Sequence, residues 1–412
     1  MARIYYTTSS TSLSSFTGNT DFNEKVSLTF TPNANKTYAI FWSAVVSGSS
    51  ITNVNTVRFR KTTGTSEVLQ QFETRRDEIN EEHSWTSVVL YTAPTSPTQE
   101  SFAVEGKTSV TTDSIYVSDT YITALELTAD DIFVSASAST STNVNTYSTT
   151  DTITVGAGDW FIFGAASYNV NTATIGSRGL MGIRLSGSNG TTFMETDSWY
   201  SEFDGNWTPY WAIGTASVAG STSFDLQFKD NSAGSTSLRY RTLLGLKKSG
   251  FDESFVVVDE APTQSFQARV TKLRYNVNPT VTGDTLVLST WCLEPPQESS
   301  VQATSNLLKN DVSVFTYAGE LLQEGQSIND QFNEGYVAVD TFTTSPVSWS
   351  VYLDGQAGSF PATIKNVAIL SLALQGTSEV LGPNFTQINQ LNIGNPFRIS
   401  QSQIGSFVRG IQ

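Results

Sequence analysis

Short runs in which apolar and polar residues alternate recur along the whole chain. Ser27-Leu28-Thr29-Phe30 and Thr152-Ile153-Thr154-Val155 place their apolar side chains on one face at a period of two. Phe224-Asp225-Leu226-Gln227-Phe228 does so more clearly, with Asp225 and Gln227 turned the other way. Turn formers separate the runs: Gly48, Pro94 and Pro97, Ser188-Asn189-Gly190, Asp354-Gly355. Many short strands at this spacing predict antiparallel sandwiches or jelly rolls. One stretch breaks the pattern. Glu67 to Glu82, with Val68, Leu69, Phe72 and Ile79 near one face, fits either a helix or a charged surface loop.

The runs repeat. Tyr38-Ala39-Ile40-Phe41-Trp42-Ser43-Ala44 resembles Trp160-Phe161-Ile162-Phe163-Gly164-Ala165-Ala166, 122 residues on. At that displacement Ser84-Trp85-Thr86 falls on Asn206-Trp207-Thr208, and Phe102-Ala103-Val104 on Phe224-Asp225-Leu226. A third copy follows at 125 residues, where Leu286 to Thr290 matches Phe161 to Ala165 and Trp349 to Leu353 matches Phe224 to Phe228. The apolar runs Ile122–Leu127, Leu243–Leu246 and Val367–Leu374 close the copies. The order of the matches predicts an all-β chain of three tandem antiparallel β-sandwich, jelly-roll-like modules, 21–132, 133–255 and 256–376. Extended arms are expected outside them, 1–20 at the N-terminus and a docking tail at 377–412. Both are polar with spaced apolar anchors: Ile4, Tyr5, Tyr6 and Phe16 at one end, Ile393, Phe397, Ile399 and Phe407 at the other.

Composition agrees. Ser and Thr make up about a quarter of the 412 residues, and charged residues only 15%. The 38 acidic and 23 basic residues give a net charge of −15. No cluster of Lys and Arg offers a nucleic-acid surface, and an anionic membrane would repel the chain. One cysteine, Cys292, rules out an internal disulfide framework and a cysteine-based zinc site. One histidine, His83, rules out a multi-histidine metal site. The start, Met1-Ala2-Arg3-Ile4-Tyr5-Tyr6, has no apolar core of a signal peptide, so none is expected, nor is membrane insertion.

Candidate chemistry is sparse. The P-loop, the H-E-x-x-H motif and the G-x-S-x-G motif are all absent, and Gly156-Ala157-Gly158 fails the dinucleotide pattern at Phe161. His83, beside Glu81 and Glu82, reads as a solvated surface residue, and Cys292 as a buried thiol. Carboxylates cluster at one place in each module: Glu73, Asp77, Glu78, Glu81 and Glu82; Glu195, Asp197, Glu202 and Asp204; Glu320, Glu324, Asp330 and Glu334. These read as solvated acidic loops, with cation binding or glycoside hydrolysis as the alternatives. Trp199, Tyr200, Phe203, Trp207, Tyr210 and Trp211 form the densest aromatic stretch and suit a strand core, a protein interface or stacking on sugars. Asn-Val-Asn, at 53–55, 143–145, 169–171 and 276–278, reads as a strand-end or loop motif duplicated with the modules.

The tandem runs at Tyr38–Ser43, Trp160–Ala165 and Leu286–Thr290, the Ser/Thr/Asn/Gly-rich strands, the scarcity of Cys and His, the acidic start and the amide-rich stretch Gln387–Gln403 together resemble virion structural proteins of tailed bacteriophages. That resemblance implies a non-enzymatic, cofactor-free, oligomeric subunit, decorating a head or associated with a tail. Its partners would be other virion proteins and further copies of itself. The alternative it leaves is a tail adhesin that binds a host-surface glycan through 199–211. The acidic loops are not expected to be essential metal sites: a chelator should leave the melting temperature within a few degrees, whereas loss of a tightly bound ion would lower it markedly.

Overall fold

A computed structural model describes residues 3–18, 20–49, 54–75, 83–171, 179–188, 190–200, 207–230, 235–265, 269–294, 302–320, 332–355 and 361–374. These form three modules, each of eight strands with the first broken into two halves. Module one runs Tyr5–Ser10 with Ser14–Thr17, Asn23–Phe30, Thr37–Gly48, Val54–Lys61, Glu67–Arg75, His83–Thr92, Glu100–Thr108 and Ser114–Glu126. Module two runs Ile132–Ala136 with Thr140–Thr142, Ser148–Val155, Gly158–Asn171, Gly179–Gly187, Thr192–Tyr200, Thr208–Val218, Thr222–Asp230 and Ser235–Lys247. Module three runs Ser254–Asp259 with Thr263–Ser265, Arg269–Val277, Gly283–Glu294, Gln302–Lys309, Val312–Glu320, Phe332–Phe342, Val347–Gly355 and Ala362–Ala373. In every module the strands order as 1-8-3-6 in one sheet and 2-7-4-5 in the other, all antiparallel, which is the jelly-roll topology.

The repeat extends to irregularities. The third and eighth strands slip register at Ser43/Val45, Ala165/Ser167 and Thr290/Cys292. The bulged eighth strand carries a left-handed residue each time: Asp119 (φ 41°), Tyr240 (φ 48°) and Asn366 (φ 54°). Phe102, Phe224 and Trp349 occupy matching positions, as their cross-strand partners Leu28, Ile153 and Tyr275 show. Trp85 and Trp207 do not. Trp85 pairs with Ala44, and the position matching Ala44 is Ala166, which pairs with Tyr210. The displacement therefore grows from 122 to 125 before the sixth strand and returns to 122 by the seventh.

Each third strand is buried on both faces. In Thr37–Gly48, Tyr38, Ile40, Trp42, Ala44 and Val46 point into module one's own sandwich, while Ala39 and Phe41 point the other way. Trp160, Ile162 and Ala166 against Phe161, Phe163 and Ala165 repeat this in module two, and Val287 and Trp291 against Leu286 and Leu288 in module three. The outward set from all three modules meets in one common core, with Val88, Ile213, Val337, Leu125, Leu246 and Leu372. Such two-faced burial makes a strand read as a continuous apolar run. Module three alone commits Leu286, Leu288, Val337, Leu370, Leu372 and Leu374 to that common core. At about 1.5–3 kcal/mol for each large apolar side chain, detachment would cost as much as the whole stability of an ordinary domain, about 5–15 kcal/mol. The modules are one folding unit, not three beads.

Three sequence expectations are corrected. Residues 1–20 are not an arm: Tyr5–Ser10 pairs with Thr120–Leu125 and Ser14–Thr17 with Ser114–Val117, so module one begins at its first strand. Tyr5 and Tyr6 are buried, because the period-two face of this strand closes the sandwich while its neighbours close the common core. Glu67–Arg75 is a strand, since Phe72 pairs with Val57 inside module one and is fully buried; residues 76–82 lie outside the described set. The Asn-Val-Asn copies sit at unrelated places: entering the fourth strand (Asn55), following the broken first strand (143–145), ending a third strand (Asn169) and ending a second strand (Asn276). The tail 377–412 also lies outside the described residues.

At the centre, Thr86, Trp211 and Gly335 occupy matching positions, paired with Ser43, Ala165 and Thr290. A Cβ on Gly335 would stand 2.6 Å from Trp211 Cδ1, 2.9 Å from the Ser289 carbonyl oxygen and 3.0 Å from Thr86 Cβ. Gly335→Ala is therefore expected to lower unfolding free energy by about 1–3 kcal/mol, read by denaturant titration. Gly220→Ala, with nothing within 4 Å of the added methyl, should leave it within about 0.5 kcal/mol.

Candidate functional site

Among the described residues, buried polar side chains meet across the seams between modules. The sixth strands, His83–Thr92, Thr208–Val218 and Phe332–Phe342, are edge strands, and all three meet at the centre. An exposed edge invites foreign strands; here the edges consume one another's hydrogen-bonding groups. The Trp211 amide donates to Asn333 Oδ1 at 2.5 Å, its indole Nε1 to the Ser289 carbonyl at 3.1 Å, and its own carbonyl accepts from Thr290 Oγ1 at 2.9 Å. The Ser84 amide donates to Glu334 Oε2 at 2.8 Å, and the Ser84 hydroxyl to the Gly335 carbonyl. Ser43 Oγ donates to the Val337 carbonyl at 3.2 Å and accepts from the Val337 amide at 3.3 Å. The Trp211 ring stacks on Phe163 and meets Phe41 edge-on.

Further out, the fifth strand of each module packs against the next module in a cycle. The Glu73 amide donates to the Trp207 carbonyl at 2.7 Å and Ser167 Oγ to the Gln71 carbonyl at 3.0 Å. Arg239 reaches Glu73 at 3.6 Å while covering the Trp207 ring at 3.8 Å. Burial pulls the Arg239 guanidinium down from its usual range, and the Glu73 carboxylate opposes the shift. Asn366 Nδ2 donates to the Glu195 carbonyl at 3.2 Å across the next seam. Between modules one and three, Tyr121 and Tyr336 pack ring to ring at 5.5 Å, and burial pushes both phenols up.

The start of the chain locks the opposite ends of the modules. Arg3 forms two hydrogen bonds with Asp131, at 2.6 and 3.0 Å, donates to the Gly250 carbonyl at 3.2 Å and stacks over Phe251 at 4.3 Å. Asp131 also accepts from the Thr128 and Lys247 amides, at 2.8 and 3.1 Å. The Tyr5 hydroxyl donates to Asp284 of module three. Residues 3 and 5 thus tie module one to both of its neighbours.

Of the aromatic stretch, Tyr210 and Trp211 are fully buried and Trp207 is half-buried under Arg239, so these three are unavailable for stacking on a sugar. Trp211 is an interface residue, but the interface is internal. Trp199 and Tyr200 end a strand; their side chains, and Phe203 altogether, lie outside the described residues. Tyr6 lies in module one's own core with Ile4 and Phe16 packed against it, and Tyr5 lies in the common core, while Ile393, Phe397, Ile399 and Phe407 lie outside the described set. His83 is buried rather than solvated, because its strand is the one turned inward, and Cys292 is buried as expected. Glu334 is likewise buried rather than solvated, held by the Ser84 amide; most of the other acidic loop residues fall outside the described set. Among the described residues no three His, Cys, Asp or Glu side chains stand close enough to hold a metal. No sequence pattern points to the roles of Gly335, Asn333, Ser84, Arg3 and Asp131 at the seams. The one available signal was a lone Arg3 directly before the apolar Ile4-Tyr5-Tyr6.

No protein family matches the chain, and no curated protein is detectably similar to it. Among solved structures, an archaeal virus protein of triple jelly-roll fold is 11% identical, with 90% of this chain and 91% of that one covered, at a TM-score of 0.21. The infectious bursal disease virus VP2 particle is 9% identical, covering 89% and 81%, also at 0.21. A tandem of two CBM22 domains from Paenibacillus barcinonensis Xyn10C is 12% identical, covering 59% and 98%, at 0.20. At such scores the fold assignment rests on this chain's own strand order.

Asp131→Ala would leave Arg3 charged, buried and unpaired, and is expected to cost about 3–5 kcal/mol. Breaking the exposed Arg274–Asp311 pair by Arg274→Ala should cost less than about 1 kcal/mol. Denaturant titration of both variants checks the contrast.

Proposed function

We propose that this chain is a non-catalytic structural subunit of a virus particle, and specifically of a tailed bacteriophage, where it binds neighbouring virion proteins and further copies of itself. The observation that carries this reading is the common core. Three jelly rolls spend one sheet apiece on each other, leaving their second, polar-faced sheets turned outward. Such a body multiplies matching surfaces around a rigid centre. Jelly rolls recur in viral capsid and lectin domains, and that likeness of fold favours a building block by analogy only. Burial of both His83 and Cys292 takes the two side chains best suited to acid–base and nucleophilic chemistry near neutral pH out of reach of a substrate. Burial of Tyr210 and Trp211 weakens the adhesin alternative.

The tail carries the attachment in this reading. Residues 380–412 contain Arg398 and Arg409 and no acidic residue, whereas the chain as a whole carries −15. Deleting 380–412 should leave the melting temperature within a few degrees and abolish incorporation into particles, measured by quantitative mass spectrometry of purified virions. Deleting 1–18 should instead unfold the three-module unit, because it removes Arg3, Tyr5, Tyr6 and an entire sheet strand. Absence of the full-length chain from purified virions would overturn the structural reading. Wild-type occupancy of the tail-deleted chain would overturn the attachment role.

A further inference from the structure

The outer edges of the modules share a device that neither the fold nor the proposed function requires. With fifth and sixth strands turned toward neighbours, the outward edges are the first and second strands, each with a strand partner on one side only among the described residues. Two long unpaired edges per module would be templates for strand addition from another copy. Each of these edges is interrupted. The first strand breaks between Ser10 and Ser14, between Ala136 and Thr140, and between Asp259 and Thr263. The second strand carries a register shift at Glu24/Val26, Thr149/Asp151 and Thr271/Leu273.

A cation then fastens the break each time. Lys25, the extra residue of its bulge, donates to the Ser12 carbonyl and, at 3.0 Å, to Ser14 Oγ. Lys272, at the matching bulge of module three, donates to the Ala261 carbonyl and pairs with Asp259 at 2.8 Å. Module two has Thr150 at that bulge, and the cation comes from elsewhere: Arg241, on the eighth strand, donates to the Ala138 carbonyl at 2.6 Å and pairs with Asp151 at 2.7 Å. Arg241 and Lys272 are buried, so their charges are held in place rather than waving in solvent. Side-chain identity and origin changed in module two, yet a cation still meets the carbonyl at the break. That substitution of means is difficult to explain by shared ancestry alone.

We infer that Lys25, Arg241 and Lys272 are edge guards: each holds its first strand in a broken, non-templating shape, so that crowded copies of this chain do not join by strand pairing. Contacts between copies would then be made by side chains and the tail, not by sheet extension.

The test is aggregation of the folded protein. In the full chain, Lys25→Met keeps the side-chain length and removes the charge at the most exposed of the three sites. The variant should remain folded by near-ultraviolet circular dichroism at 25 °C. It should nevertheless form thioflavin-positive, concentration-dependent oligomers at least tenfold faster than wild type. Lys25→Arg should behave as wild type. Ser9 is exposed on the first strand, so adding Ser9→Lys to the Lys25→Met variant places a new charge on the same edge and should restore the wild-type rate. Wild-type aggregation rates in Lys25→Met would overturn the proposal. So would faster aggregation that Ser9→Lys leaves unchanged, or that tracks the unfolded fraction across a urea series. If Lys25→Met does not fold, Lys272→Met, measured in the same way, decides it by the same outcomes.

Discussion

Trp211 fills the point where three sheet edges converge, and the rest of the molecule is arranged around making room for it. One position in the jelly-roll repeat faces the centre from all three modules, and three large side chains cannot share it. The chain places Trp211, Thr86 and Gly335 there, so the indole lies where a Cβ on Gly335 would have to be. The indole and backbone of Trp211 then hydrogen-bond to Asn333, Ser289 and Thr290, all in module three. Close packing and polar satisfaction are met by the same residue, which sets how closely the sheets approach and hence how completely Phe41, Phe163 and Leu288 are buried.

Much of this was legible in the sequence, and the part that was not has a physical reason. Period-two alternation marks strands with one wet face, so Ser148–Val155 and Thr222–Asp230 read directly. The third strands carry a different signal, the continuous runs Tyr38–Ala44 and Trp160–Ala166. Those runs revealed the repeat, and they also record burial on both faces, which is the trace of modules packed together rather than strung out. The Trp85–Trp207 match misled because tryptophan is conspicuous, while register depends on loop length: three residues added before the sixth strand moved the equivalence to Tyr210. The N-terminal segment was misjudged because a strand of Thr and Ser on an edge is compositionally the same as a loose arm. Only the alternation of Tyr5 and Tyr6 between two cores distinguishes it.

The candidate site was less legible than the fold. Aromatic density at 199–211 drew attention to a surface, but density does not report direction, and the two residues nearest its end turn inward. The seam is built instead from single ordinary residues: a serine, an asparagine, a glycine. Their importance comes from contacts between positions more than a hundred residues apart, such as Ser43 with Val337 and Ser84 with Glu334. No local pattern encodes those meetings.

The unequal trio at the centre has a consequence for assembly. Three identical chains could not place tryptophan, threonine and glycine at one symmetric position, since each copy must carry the same residue. Within one chain each module carries its own residue there. Any single module therefore presents a surface matched to siblings unlike itself. Covalent linkage delivers the three unlike parts in fixed proportion and order, so the centre cannot be filled by the wrong combination.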